Sequence, residues 1–225
     1  MRGLAFIGGE GPEPAFCRFL AQDAHLIAAA DSGLQAAERA GLKPDWIVGD
    51  MDSLDDLGRL EKYPAERVRR FPRDKDFTDT ELVLELLWEQ GCGQICIAGG
   101  GGGRLDHLLA IRSLFERDKR PQRWVTAKED VYCLDAWAST DSSVSGGEFE
   151  FKLPVASLVS IFPLGPGPWH IESLGLKWPL KGLSWTQGSF GLSNENIEEQ
   201  FRVKPTQGRF MLIVPLLIQE DRCRP

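Results

Sequence analysis

Aspartates recur just past short apolar runs in this chain. Asp31 follows His25-Leu-Ile-Ala-Ala-Ala30, Asp50 and Asp52 follow Trp46-Ile-Val-Gly49, and Asp74 and Asp76 follow Val68-Arg-Arg-Phe71. Asp79 comes three residues later. Asp106 follows Gln94-Ile-Cys-Ile-Ala98 and a run of glycines, Gly99 to Gly103. If the apolar runs are strands of an open α/β sheet, residues past their carboxyl ends border the ligand crevice. Carboxylates gathered there, with Lys75 and Arg104 beside them, suit a divalent cation and a polyphosphate. Mg²⁺ takes oxygen ligands and is commonly held by one or two carboxylates together with substrate phosphates. Side chains two apart in extended backbone point the same way, so Asp50 and Asp52 are expected to face one ion. A plain turn after the strand is the competing reading, because Asp and Gly both favour turns.

Arg73-Asp74-Lys75-Asp76-Phe-Thr78-Asp79 is denser in charge. Acids at a helix start complement its dipole, which accounts for Asp79 better than for Asp74 and Asp76. Free amides at such a start also bind phosphate. The glycine run lacks the G-K-[ST] of a Walker A loop. Its expected use is backbone that approaches a ligand closely and exposes amides. Arg104 could clamp a phosphate with two parallel hydrogen bonds. Asp106 could accept from a substrate or assist a metal. His107 reads equally as a polar helix-start residue or a substrate contact, whereas His25 and His170 read as structural. The basic stretch Arg67, Arg69, Arg70, Arg73 and Lys75 reads as a solvated strand and loop; the alternative is phosphate contact by one or two of its members.

These groups need elements to position them. Leu4–Ile7, His25–Ala30, Trp46–Val48, Val68–Phe71 and Gln94–Ala98 read as strands. Pro14–Gln22 and Gly33–Ala40 read as helices, the second stopped by Gly41. Thr78-Asp-Thr-Glu81 has capping-box spacing and opens a helix with Leu82, Val83, Leu86 and Leu87 on one stripe. Leu108, Ile111 and Phe115 recur at helical spacing beyond the glycines. Alternating strands and helices imply a mostly parallel sheet with helices on its faces. Beyond residue 120 the pattern changes. Trp124–Thr126, Val131–Leu134, Phe149–Phe151, Ser157–Phe162 and Arg209–Leu217 are short β-rich runs separated by Gly and Pro, as in a sandwich or barrel. The expected organisation is an α/β nucleotide- and metal-binding catalytic domain over 1–124 and a β-sandwich over 125–225.

Composition fits a soluble globular protein: 225 residues, 42% hydrophobic and 26% charged. The net charge of −7 argues against a nucleic-acid binder, whose affinity rests on Lys and Arg. Cys17, Cys92, Cys96, Cys133 and Cys223 form no framework and are expected as reduced thiols. No basic segment precedes a hydrophobic run of signal length, and no apolar stretch reaches membrane-span length. Cytoplasm is therefore the expected compartment, with no membrane partner.

The ordered set of motifs resembles the thiamine pyrophosphokinase family. It comprises Ala30-Asp-Ser-Gly33, Pro44, Gly49-Asp-Met-Asp-Ser53, Pro72-Arg-Asp-Lys-Asp-Phe-Thr-Asp79 and Gly102-Gly-Arg-Leu-Asp-His107. Gly175-Leu-Lys-Trp-Pro-Leu180 and Gly191-Leu-Ser-Asn-Glu195 continue it through the second half. The resemblance implies transfer of the diphosphate of ATP to thiamine with Mg²⁺, releasing AMP. It also implies a homodimer whose sandwich covers thiamine bound at the partner's α/β domain. By motif matching, Asp50, Asp52 and Asp76 would carry the metal and, with Asp106, form the catalytic set. Asp31, Lys75, Thr78, Gly102 and Arg104 would face ATP. Asp79 and Asp106 would contact substrate or orient the site. Ser193 and Asn194 would line the thiamine pocket, with Trp178 near it or packed beneath it. The α/β half would serve another alcohol acceptor, such as a hydroxymethyl-pterin, equally well. A non-catalytic sensor of nucleotide or thiamine is the other alternative. Ser32 and Met51 depart mildly from the family pattern.

Overall fold

The structure, a computed structural model, describes residues 1–136 and 147–217. Among these, one compact unit takes Met1–Leu114 and Lys119–Lys128, and a second takes Phe115–Asp118 and Glu129–Leu217.

The first unit is built on strands β1 Arg2–Phe6, β2 Leu26–Ala30, β3 Trp46–Gly49, β4 Val68–Arg70, β5 Gln94–Ala98 and β6 Arg123–Val125. They lie in the order β6-β5-β1-β2-β3-β4, and every neighbouring pair is parallel. Parallel neighbours cannot be joined by tight turns, so the chain crosses over through helices. These are α1 Pro14–Gln22, α2 Gly33–Arg39, α3 Asp79–Glu89 and α4 Leu105–Leu114. The β3-to-β4 connection instead carries two 3₁₀ turns, Leu57–Lys62 and Ala65–Arg67, that the apolar pattern does not announce. Leu4, Ala5, Phe6, Ala28, Ala29 and Ala30 are all buried. Such continuous apolar runs belong to strands buried on both faces. Thr78 and Glu81 close the expected capping box at α3, whose Val83, Leu84, Leu86 and Leu87 face the core. Trp124 and its neighbours do not start the second unit. They pair parallel with β5, Ile97 opposite Trp124, as the last strand of the α/β sheet.

The second unit is antiparallel. Its strands are β7 Glu129–Asp135, β8 Phe149–Lys152, β9 Leu158–Leu164, β10 His170–Leu174, β11 Gly191–Glu195, β12 Gln200–Gln207 and β13 Arg209–Pro215. Within this unit they pair in two layers, in the orders β11-β9-β13-β7 and β10-β12-β8. Val159, Ile161, Phe210 and Leu212 from one sheet share a core with Ile171, Phe201 and Val203 from the other. Two antiparallel sheets closed on one apolar layer are a β-sandwich. Arg209 braces this unit from within. It pairs with Asp135 and donates to the carbonyls of Phe115, Glu116 and Arg117.

Cys17, Cys92, Cys96 and Cys133 form no disulfide with one another; Cys223 lies outside the described residues. Burial pushes the Cys17 thiol up to about 11, so it is inert at neutral pH. No helix among the described residues is long and apolar enough to cross a membrane.

Candidate active site

The carboxyl ends of β2 and β3 and the amino end of α3 bring Asp31, Asp50 and Asp79 together, with one oxygen from each within 4.8 Å of the others. Each acid is placed by a specific local feature. Asp31 has a left-handed backbone, φ 44°, and its Oδ1 accepts from the Met51 amide at 3.0 Å. Asp79 is the first residue of α3, held by the Thr78 cap. Gly49 lies at φ 142°, where a Cβ would sit 2.0 Å from Asp31 Oδ1. Only glycine leaves room for that carboxylate.

The group is electrostatically crowded. Burial and the neighbouring Asp79 carboxyl raise Asp31 to about 7. Asp79 Oδ1 is buried without a hydrogen-bond partner. Lys75 Nζ lies between the acids, 3.2 Å from Asp50 Oδ2 and 3.2 Å from Asp79 Oδ1. Burial pulls the lysine down, but Asp79 and Asp50 together outweigh it and its pKa is raised. Asp50 is held below the usual carboxylate range, first by the Asp52 amide and then by Lys75 against a burial penalty.

Asp52 and Asp76 stand outside this group. Both are exposed; Asp52 pairs with Arg73 at 3.4 Å, and its amide donates to Asp50 Oδ1 at 3.0 Å. Met51, at φ 66°, breaks the extended backbone that would have aimed Asp50 and Asp52 the same way. Asp74 is likewise exposed. Thr78 spends its hydroxyl on the cap.

The glycine run is less free than its composition suggests. The amides of Gly99, Gly100 and Gly101 donate to Val125, Gly8 and Glu10, and the Glu10 amide returns a bond to Gly101. The Trp124 indole donates to Gly99 O at 2.7 Å. Gly102 and Gly103 remain exposed, with the Glu10 side chain over Gly102. Arg104 forms its fork with Asp106, both exposed, and this pairing holds the Asp106 carboxyl below its ordinary range. His107 is exposed, and its amide donates to Asp106. Of the basic stretch, Arg67 and Arg69 stack on Trp46, with guanidinium carbons 4.7 and 5.1 Å from the ring centroid. Their flat cations serve packing.

Two family models match the chain in order: thiamin pyrophosphokinase, catalytic domain, over residues 17–125, and thiamin pyrophosphokinase, vitamin B1 binding domain, over 149–209. The chain belongs to the thiamine pyrophosphokinase family. It is 25% identical over 186 residues to the thiamine pyrophosphokinase of Bacillus subtilis (strain 168), spanning 81% of this chain and 84% of that protein. The crystal structure of the thiamine pyrophosphokinase from B. subtilis shares its fold with a TM-score of 0.75 at 24% identity. That match covers 96% of this chain and all of the other. Thiamin pyrophosphokinase from Candida albicans shares it at TM-score 0.69 and 15% identity, covering 96% and 89%.

Within the segment matched by the family's vitamin B1 binding model, Ser193, Asn194 and Trp178 divide by role. Ser193 is exposed at φ 57°, with its amide directed to Ser160 Oγ at 3.4 Å. Asn194 is buried, and both ends of its amide are committed. Oδ1 accepts from the Trp178 and Glu195 amides, and Nδ2 donates to Trp178 O at 2.7 Å. Asn194 thus fixes the Trp178 backbone. The Trp178 indole is 52% exposed, not packed in the core, and Lys177 Nζ lies 4.6 Å from its ring centroid. The sequence does not announce the contact of Glu10 with Gly102 or the pair Arg59–Glu38. Arg59, also bonded to Asp55, ties the 3₁₀ turn after Asp52 to α2. Only proximity in the fold reveals that pair, since Glu38 and Arg59 are 21 positions apart.

Proposed function

We propose that this chain transfers the diphosphate of ATP to thiamine, yielding thiamine diphosphate and AMP, in a Mg²⁺-dependent reaction. The observation that carries the reading is the acid group at the carboxyl edge of the sheet. Asp31, Asp50 and Asp79 converge there, and Asp79 Oδ1 is buried without a hydrogen bond. An all-oxygen donor set of this kind fits Mg²⁺, which also accepts phosphate oxygens. Asp31, Asp50 and Asp79 would hold it, with exposed Asp52 and Asp76 at the rim to meet the metal–nucleotide. When bound, Mg²⁺ neutralises charge on the phosphates and orients them for in-line transfer.

The chain's own groups supply positioning. Lys75, beside Asp50, and Arg104, at the start of α4, offer positive charge to the triphosphate. The exposed Gly102–Gly103 backbone allows close approach. Asp79 and Asp106 would attract the thiazolium cation, and the open indole of Trp178 offers a flat face for the rings. A loose transition state leaves the acceptor hydroxyl little changed until late, so no strong base is required. The resemblance further supports a cytoplasmic homodimer whose sites combine one subunit's α/β unit with the partner's sandwich.

Incubation with ATP, Mg²⁺ and thiamine tests the reading. AMP and thiamine diphosphate should appear in equal amounts. ADP with thiamine monophosphate would defeat it, and turnover of a hydroxymethyl-pterin without thiamine turnover would reassign the acceptor. Light scattering at about twice the 25.0 kDa chain mass checks the homodimer.

A further inference from the structure

We propose that Lys75 is the resident counter-ion of the acid group: its ammonium occupies the position of the divalent cation and keeps the free ion out until nucleotide arrives. The inference rests on the Mg²⁺ reading above and adds a gate to it. Lys75 Nζ is 3.2 Å from Asp50 Oδ2 and 3.2 Å from Asp79 Oδ1, and the side chain is only 11% exposed. These are two of the three acids that converge, so ammonium and cation compete for the same carboxylates.

The fit of the ammonium is incomplete. It donates a hydrogen bond to Asp50, yet Asp79 Oδ1 receives charge without a hydrogen bond. One ammonium faces three carboxyl groups, and it reaches only two of them. The arrangement can therefore be displaced, but only by something that brings more charge. A free divalent ion must expel a half-caged lysine into solvent. A metal–nucleotide complex presents phosphate oxygens to receive the ammonium as the cation enters. The four-carbon stem of lysine, on the loop before α3, permits that swing, as a rigid planar guanidinium would not. Cation and nucleotide then load together, and the acid group does not collect free metal.

The test measures Mn²⁺ binding without nucleotide, by electron paramagnetic resonance and by calorimetry. It uses the full chain as wild type, Lys75→Met, Lys75→Gln and the double variant Lys75→Met/Asp79→Asn. Circular dichroism and melting confirm that each is folded, and the polar Gln variant guards against loss of fold in the Met variant. Removing a competing charge at this range should tighten Mn²⁺ binding at least about tenfold in both single variants. Asp79→Asn should reverse the gain. Equal affinity of wild type and both Lys75 variants, or weaker binding by the variants, overturns the counter-ion role and leaves the metal reading intact. No Mn²⁺ binding by any of the proteins, with or without ATP, overturns the metal reading and the gate with it.

Discussion

Two polar assemblies in this molecule are solved in opposite ways. In the sandwich, Asn194 and Asn196 are buried, and their side-chain amides hydrogen-bond to backbone. Asn196 takes the Ser157 amide on Oδ1 and gives Nδ2 to the carbonyls of Leu153, Pro154 and Glu198. At the carboxyl edge of the α/β sheet, Asp31, Asp50 and Asp79 crowd together around one lysine, and Asp79 Oδ1 has no hydrogen bond. A satisfied buried amide stabilises a shape, whereas an unsatisfied carboxylate costs stability until a charged ligand arrives. The difference separates residues that build a surface from residues that, on the proposed reading, await a reactant.

The contrast can be broken at several points. Asp50→Asn should lower kcat on the order of 10³-fold, the scale of losing one charge-stabilising group, while the melting temperature holds or rises. Steady-state kinetics beside a thermal melt reads both, and a large fall in stability would place Asp50 with the structural amides. Asn196→Ala should do the reverse, costing about 2–3 kcal/mol in urea unfolding by stranding backbone groups, with kcat nearly unchanged. For Asp31 the sign follows from its raised pKa. The folded protein holds the proton more tightly than the unfolded chain, so this contribution is full below about pH 4 and is lost as pH rises through about 7. Metal-free protein should lose stability across that window, and Asp31→Asn should flatten the slope; urea midpoints from pH 4 to 8 decide. Trp178→Ala should have the smallest stability effect, under about 0.5 kcal/mol for an exposed side chain, and should act instead on KM for thiamine. A shift in kcat alone would remove the indole from the acceptor's surroundings.

Much of the fold was legible because it follows periodicity. The capping box of Thr78 and Glu81, the stripe of α3 and the alanine-rich β2 declare themselves in residue types. β10, β11 and β12 do not. Their runs mix polar residues and Pro205, and only cross-strand pairing makes them strands. Residue types placed the acids past the strand ends but could not sort which of them converge. Expecting Asp50 and Asp52 on one side assumed extended backbone, which Met51 interrupts. Asp31 joins the group because its backbone enters the left-handed region beside a glycine. Neither dihedral is encoded by a local pattern. Asn194, 16 positions away, grips the Trp178 backbone, a contact that no local pattern announces.

The paired glycine run bears on how quickly a ligand can be captured. Fixing a residue's backbone costs roughly 1–2 kcal/mol, and glycine is the most costly to fix. Gly99, Gly100 and Gly101 meet that cost when the protein folds, through their bonds to Val125, Gly8 and Glu10. On the proposed reading, an arriving triphosphate would find most of the loop already arranged and would have only its exposed tip to organise. Encounter, rather than rearrangement of this loop, should govern the association rate.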